Sequence, residues 1–121
     1  MNKDLNKLSF KELSKEIDKL KEKQKNVENK PVSGSAFVIG KNYLIRTVTM
    51  IYTGKLTKVF DKELVIIDCA WIPETERWAD TVKNGTFKEV EPYNDGQEVI
   101  INREAILDTT MVDWMLPREQ K

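Results

Sequence analysis

The 121-residue chain contains no histidine and one cysteine, Cys69. Without histidine there is no general base that titrates near neutral pH, no imidazole ligand and no Ser–His or Cys–His nucleophile pair. A lone cysteine forms neither an intrachain disulfide nor a thiolate cluster for zinc. Within its apolar run, Cys69 reads as a small buried hydrophobe in a reducing compartment. No Gly-rich phosphate loop is present. The carboxylates Glu74, Glu76, Asp80, Glu89 and Glu91 read as a solvated acidic face. No enzyme, metal or cofactor is therefore expected. The remaining chemistry is cationic and aromatic. Trp71 and Trp78 offer rings on which a base can stack, at about 1–3 kcal/mol per base. Arg77 beside Trp78 would form an Arg–Trp edge suited to a nucleotide. The competing role for both tryptophans is core packing of an inserted helix. Arg46 interrupts an apolar strand; it either pairs with Asp68 or a nearby Glu, or lines a pore or pocket.

Composition bounds the partners. Lys plus Arg equals Asp plus Glu at 20 each, which argues against a general polyanion binder. The charge is unevenly spread, with nine Lys against six acids in residues 1–30 and the reverse surplus in the remainder. Zero net charge also gives little electrostatic protection against self-association. No apolar run reaches the roughly 20 residues that span a bilayer, and the Lys-rich N-terminus has no apolar core of the secretory kind. The expected address is the cytoplasm, without membrane partners.

The elements that must position these residues follow from periodicity. Residues 1–30 read as an amphipathic helix. Ser9 and Glu12 form a capping box, and Phe10, Leu13, Ile17 and Leu20 share one stripe. The stripe is short, so this helix needs the β-domain or a neighbouring subunit to pack on. Residues 31–36 read as a linker, and residues 37–116 as a β-domain. The stretch 43–53 reads as one long strand, largely apolar or β-branched on both faces and so partly buried on both sides. Gly54 follows between two strong β runs, which marks a sharp bend or a close backbone approach. Asp61-Lys62 turns the chain into the apolar strand Leu64–Ile72, which Pro73 is expected to stop. Residues 73–96 read as an insertion: a short helix capped by Gly85, then an extended acidic run to a turn at Asn94-Asp95-Gly96. A strand at 97–101, a tight polar turn at Asn102-Arg103-Glu104 and a last strand from Ala105 complete the domain. Residues 117–121 read as a frayed polar tail. The fold class expected is mainly β: a small, strongly bent five-stranded barrel of the SH3-like kind with an N-terminal amphipathic helix and a short inserted helix.

These residues carry a family resemblance. Gly54-Lys55-Leu56, Val59-Phe60-Asp61 and Leu64-Val65-Ile66-Ile67-Asp68 resemble the first motif of the Sm-like proteins (Sm, LSm and Hfq). Val99-Ile100-Ile101-Asn102-Arg103 with Ala105-Ile106 resembles the second. The resemblance covers residues 37–72 and 97–109, and is nearest to small Sm-like proteins of bacteria and their phages. The chain departs from the pattern in two places. It lacks the Asn that follows the first-motif turn, and Asn102-Arg103-Glu104 lacks the second-motif Gly. The insertion with Trp71, Arg77 and Trp78 is also foreign to the pattern.

The resemblance implies a homo-oligomeric ring in which edge strands of neighbouring subunits pair. It also implies that Arg103 contacts a phosphate or base, that Asn102 reads a base edge, and that Asp61 and Lys62 occupy the facing turn. The function so implied is a non-enzymatic, ring-forming binder of RNA or another nucleotide ligand. The alternative is a phage-type sequestering protein or structural adaptor that holds a small nucleotide signal or a partner protein.

Overall fold

A computed structural model describes residues 29–121. The expected N-terminal helix, residues 1–30, therefore lies almost wholly outside the described residues. The order of elements is β1 (Lys30–Pro31), β2 (Val38–Ile39), β3 (Asn42–Thr47), β4 (Ile51–Val59), β5 (Glu63–Thr75), α1 (Trp78–Asn84), β6 (Phe87–Pro92), β7 (Val99–Asn102), a 3-10 turn (Arg103–Ala105) and β8 (Ile106–Val112). The fold is mainly β and antiparallel, with one short helix in the inserted segment. Six strands share the main sheet in the order β6-β5-β4-β3-β8, and β7 pairs with β5 off that path. The structure corrects the expected five-stranded barrel, because the sheet does not close. The 3-10 turn carries the chain from β7, beside β5, to β8, beside β3, and no ladder joins β7 to β8.

β5 organises the sheet. Its first half pairs with β7, from Glu63↔Asn102 to Ile66↔Val99. Its second half pairs with β6, from Ala70↔Pro92 to Thr75↔Phe87. Its opposite edge pairs with β4 along much of its length. The halves meet at a bulge. Thr53 lies opposite Ala70 and Lys55 opposite Ile67, so Asp68 and Cys69 face the single residue Gly54. Asp68 has φ 51, a left-handed conformation that Asp tolerates better than most side chains. Its carboxylate Oδ1 accepts a hydrogen bond from Gly96 N at 2.9 Å, which ties the 94–97 turn to the bulge. A Cβ on Gly54 would lie 2.7 Å from Ile66 Cδ1. The close approach expected at Gly54 is made by the Ile66 side chain, opposite a bulge of the kind that bends a strand.

Several expected boundaries move. The long strand read over 43–53 is a hairpin: β3 ends at Thr47, β4 starts at Ile51, and Arg46 pairs with Ile51. The turn lacks Gly, Pro, Asn and Asp, the usual sequence signals. Thr47 makes it instead. Its backbone N–H and its Oγ1 both donate to Met50 O, at 2.8 and 2.9 Å, and Oγ1 accepts from Met50 N at 3.0 Å. Pro73 does not stop β5. It falls where the β5–β6 register shifts between Trp71 and Glu74, so its missing N–H costs no regular ladder bond. Residues 31–36 join β1 to β2 in a small antiparallel hairpin. The tail is pinned rather than frayed, as Lys121 and Val90 exchange two backbone hydrogen bonds of 3.0 and 3.1 Å.

The sheet buries both faces within the chain. On one face Tyr43, Ile45, Leu56, Leu64, Ile66, Cys69 and Ile101 form a core inside the bend. On the other, Leu44, Ala70, Ile72, Phe87, Val90 and Val112 pack under Trp78 and Val82 of α1 and under Trp114. Trp114 seals this layer. Its ring meets Phe87 edge-on at 5.6 Å, and its Nε1 donates to Val82 O at 2.9 Å. Among the described residues no helix is long and apolar enough to cross a membrane.

Two stability predictions follow from this packing. Gly54→Ala should cost about 1–3 kcal/mol by overpacking against Ile66. Adding Ile66→Val, which removes Cδ1, should make the double variant lose less than the sum of the singles in urea unfolding. Thr53 is fully buried and its Oγ1 has no partner. Thr53→Val should raise stability by about 1 kcal/mol, seen as a higher urea midpoint at unchanged slope.

Candidate ligand-binding surface

The fold brings two of the predicted turns together. Phe60 N donates to Glu63 O at 2.8 Å and closes the turn that carries Asp61 and Lys62. Across the β5–β7 ladder, Asn102 caps the 3-10 turn, its Oδ1 accepting from Glu104 N at 3.0 Å. Arg103 laces the two turns. Its backbone N donates to Lys62 O at 2.9 Å, its Nη1 donates to Phe60 O at 2.7 Å, and its guanidinium lies 5.4 Å from the centre of the Phe37 ring. Lys62, Glu63, Ile100, Asn102 and Glu104 line a shallow open groove of about 450 Å³. Lys62 thus lines the groove beside two carboxylates, and Arg103 is turned back onto Phe60 O and the Phe37 ring. Asp61 is exposed next to the groove.

The remaining predicted residues lie elsewhere. Trp71 sits on the distal half of β5, opposite Tyr52 and Glu91, and is 38% exposed. Trp78 is half-buried against the second core cluster, as its packing role required. Arg77 is exposed at the start of α1, and its side chain makes no capping bond. The cation over Trp78 is Arg46, 4.6 Å from the ring centroid, so the expected Arg77–Trp78 pairing gives way to Arg46–Trp78. The partner of Arg46 is Asp108 on β8, bonded through Nε to Oδ1 at 2.8 Å and through Nη2 to Oδ2. The expected Asp68 partner is instead committed to Gly96 N.

Two chemical properties follow from burial and pairing. Burial pushes the Cys69 thiol up to about 12, against a smaller opposing effect of Arg118, so it is an inert core group. The Arg46 guanidinium, by hydrogen bonding above all, holds the Asp108 carboxyl below its ordinary value.

Arg118 was not anticipated from sequence. Its guanidinium donates to Cys69 O at 2.9 Å and Tyr93 O at 2.8 Å, and pairs with Asp95 at 2.6 Å. It binds the tail, the β5 bulge and the 94–97 turn at once. An Arg in a polar C-terminal run carries no local signal for such a role, because its acceptors are backbone carbonyls far away in sequence.

Comparison with family models and with curated proteins finds no match to this chain.

The Arg46–Asp108 pair makes a pH prediction. Because the folded Asp108 carboxyl is depressed, its contribution is present above the ordinary Asp range near about 4 and is lost as pH falls through the folded value. Asp108→Asn should flatten the loss of urea stability between neutral and acid pH relative to wild type. Equal slopes in the two proteins would refute this linkage.

Proposed function

We propose that this chain is a non-enzymatic binding protein of Sm-like type that assembles as a homo-oligomeric ring and binds RNA or another nucleotide ligand at the paired turns. The observation that carries the reading is the juxtaposition of Asp61-Lys62 with Asn102-Arg103, laced by the Arg103 N–Lys62 O hydrogen bond. The Lys62 ammonium suits a phosphate. The Asn102 amide N–H₂ stays available to a base edge while its Oδ1 caps the turn.

Two strand edges support assembly. Among the described residues, β7 pairs only with β5 and β8 only with β3, so each leaves one edge unpaired. These strands carry exposed apolar side chains: Ile100 on β7, and Leu107 and Met111 on β8, at 64%, 66% and 46% exposure. Pairing β7 of one copy with β8 of the next would cover both edges and repeat the groove around an axis. A second reading, a sequestering or adaptor protein, is favoured by Glu63 and Glu104 beside Lys62, which keep a single groove from being cationic.

Native mass spectrometry of the protein purified from its host should give one closed oligomer with a nucleotide-containing species bound; a monomeric mass would sink the ring. Lys62→Ala should weaken RNA binding roughly tenfold and lower the salt dependence by about one ion, whereas Arg103→Ala, which unlaces the two turns, should weaken binding with little change in salt dependence. A ring that binds neither RNA nor nucleotide would favour the adaptor.

A further inference from the structure

The distal half of β5 carries a second, chemically different site. Trp71, Glu91, Pro92 and Tyr93 line a small cleft of about 220 Å³. Trp71 is 38% and Tyr93 37% exposed, so two aromatic rings remain open to solvent. Tyr52 backs them. It pairs in register with Trp71, and its hydroxyl donates to Met50 Sδ at 3.0 Å. Burial first, and then the neighbouring Tyr93 phenol, raises the Tyr52 hydroxyl above its ordinary value. Tyr52 thus lies across the ladder from Trp71, and Tyr93 lines the cleft beside Trp71.

The charge of the cleft selects its ligand. Glu91 is half-buried directly opposite Trp71 in the ladder. Its carboxylate accepts from the neutral Gln120 amide at 3.3 Å, and no ion pair reaches it among the described residues. No Lys or Arg lines the cleft. The guanidinium of Arg118, which reaches the Tyr93 carbonyl, is engaged there and by Cys69 O and Asp95. A phosphate would find no cation here. A weakly hydrated cation would find the negative faces of aromatic rings and an uncompensated carboxylate, the arrangement that attracts alkylated ammonium groups.

We propose that the Trp71–Tyr93 cleft binds a small alkylated ammonium ligand, held by cation–π contact with Trp71 and Tyr93 and by the Glu91 carboxylate. This site is independent of the nucleotide reading, which uses the opposite end of β5. Quaternary nitrogen donates no hydrogen bond, so recognition rests on ring faces and charge. The compact volume favours a single trimethylammonium-sized group over an extended chain.

The test follows the three indole N–H resonances of the full chain by NMR, with Trp71 assigned from its loss in Trp71→Ala. Choline chloride, titrated against sodium chloride at equal ionic strength, should shift the Trp71 resonance saturably and leave Trp78 and Trp114 in place. Dimethylbutanol, the neutral carbon isostere of choline, should bind roughly tenfold more weakly or not at all. Glu91→Gln, which preserves shape, should weaken choline roughly tenfold and keep all three resonances, so the test stands even if Trp71→Ala fails to fold. Phosphatidylcholine vesicles run as a separate arm distinguish a lipid headgroup from a free ligand, and saturation in either arm supports the site. Equal response to choline and dimethylbutanol, no saturable shift in either arm, or a Trp71 shift produced by adenosine monophosphate instead would overturn the proposal.

Discussion

Gly54 on β4 and Asp68 on β5 lie across one ladder, and the bend of the sheet is made between them. β5 accommodates two residues where β4 has one, and Asp68 turns left-handed to do so. Gly54 is required opposite because Ile66 occupies the space that a Cβ would take. Both halves of β5 depend on this bulge: the proximal half recruits β7 and the distal half recruits β6. A flat β5 would present one continuous edge, and the two surfaces at its ends would not be separated. The bulge is held from outside by Gly96 N on the Asp68 carboxylate and by Arg118 on the Cys69 carbonyl. Strain at one residue is thus offset by turns contributed from distant parts of the chain.

The burial of both sheet faces has an internal cause. A strand such as β3, with Tyr43 and Ile45 on one face and Leu44 on the other, needs two layers of cover. The bent sheet supplies one by folding over itself. The inserted α1, with Trp114, supplies the other. Part of the apolar surface left over, Ile100, Leu107 and Met111, lies on β7 and β8, the strands with open edges; Val48, Phe60 and Met115 are exposed outside them.

The two ends of β5 differ in electrostatic character. At the proximal end Lys62 stands among Glu63 and Glu104, with Arg103 turned back onto Phe60 and Phe37. At the distal end Trp71, Glu91, Pro92 and Tyr93 line a cleft without a cationic side chain, and the neighbouring Arg118 is engaged by Asp95 and two backbone carbonyls. A chain with zero formal net charge therefore still has surfaces of different composition, because pairing within the fold decides which charges remain free.

The local pattern of this sequence determined much of the fold: a β-rich domain, the bend at Gly54, the turn at Asp61-Lys62, the helix capped at Gly85 and the polar turn at Asn102-Arg103. Each of these rests on short-range physics, such as a missing Cβ, a left-handed cap or the spacing of apolar residues. The hairpin at Val48–Met50 was not legible, because Thr47 turns the chain with its hydroxyl and the neighbouring residues are strand formers. Pro73 misled because its effect depends on whether the ladder needs its N–H, which is a property of the register with β6. The candidate site was legible at Lys62, Asn102 and Arg103, where motif spacing coincides with adjacency across the β5–β7 ladder. Only the tertiary structure decided that Trp78 takes Arg46 as its cation, that Asp108 holds Arg46, that Arg118 clasps the bulge, and that Trp71 meets Tyr52, Tyr93 and Glu91. Those partners are brought together by strand register and chain reversal, and contacts over such separations leave no periodicity in the sequence to read.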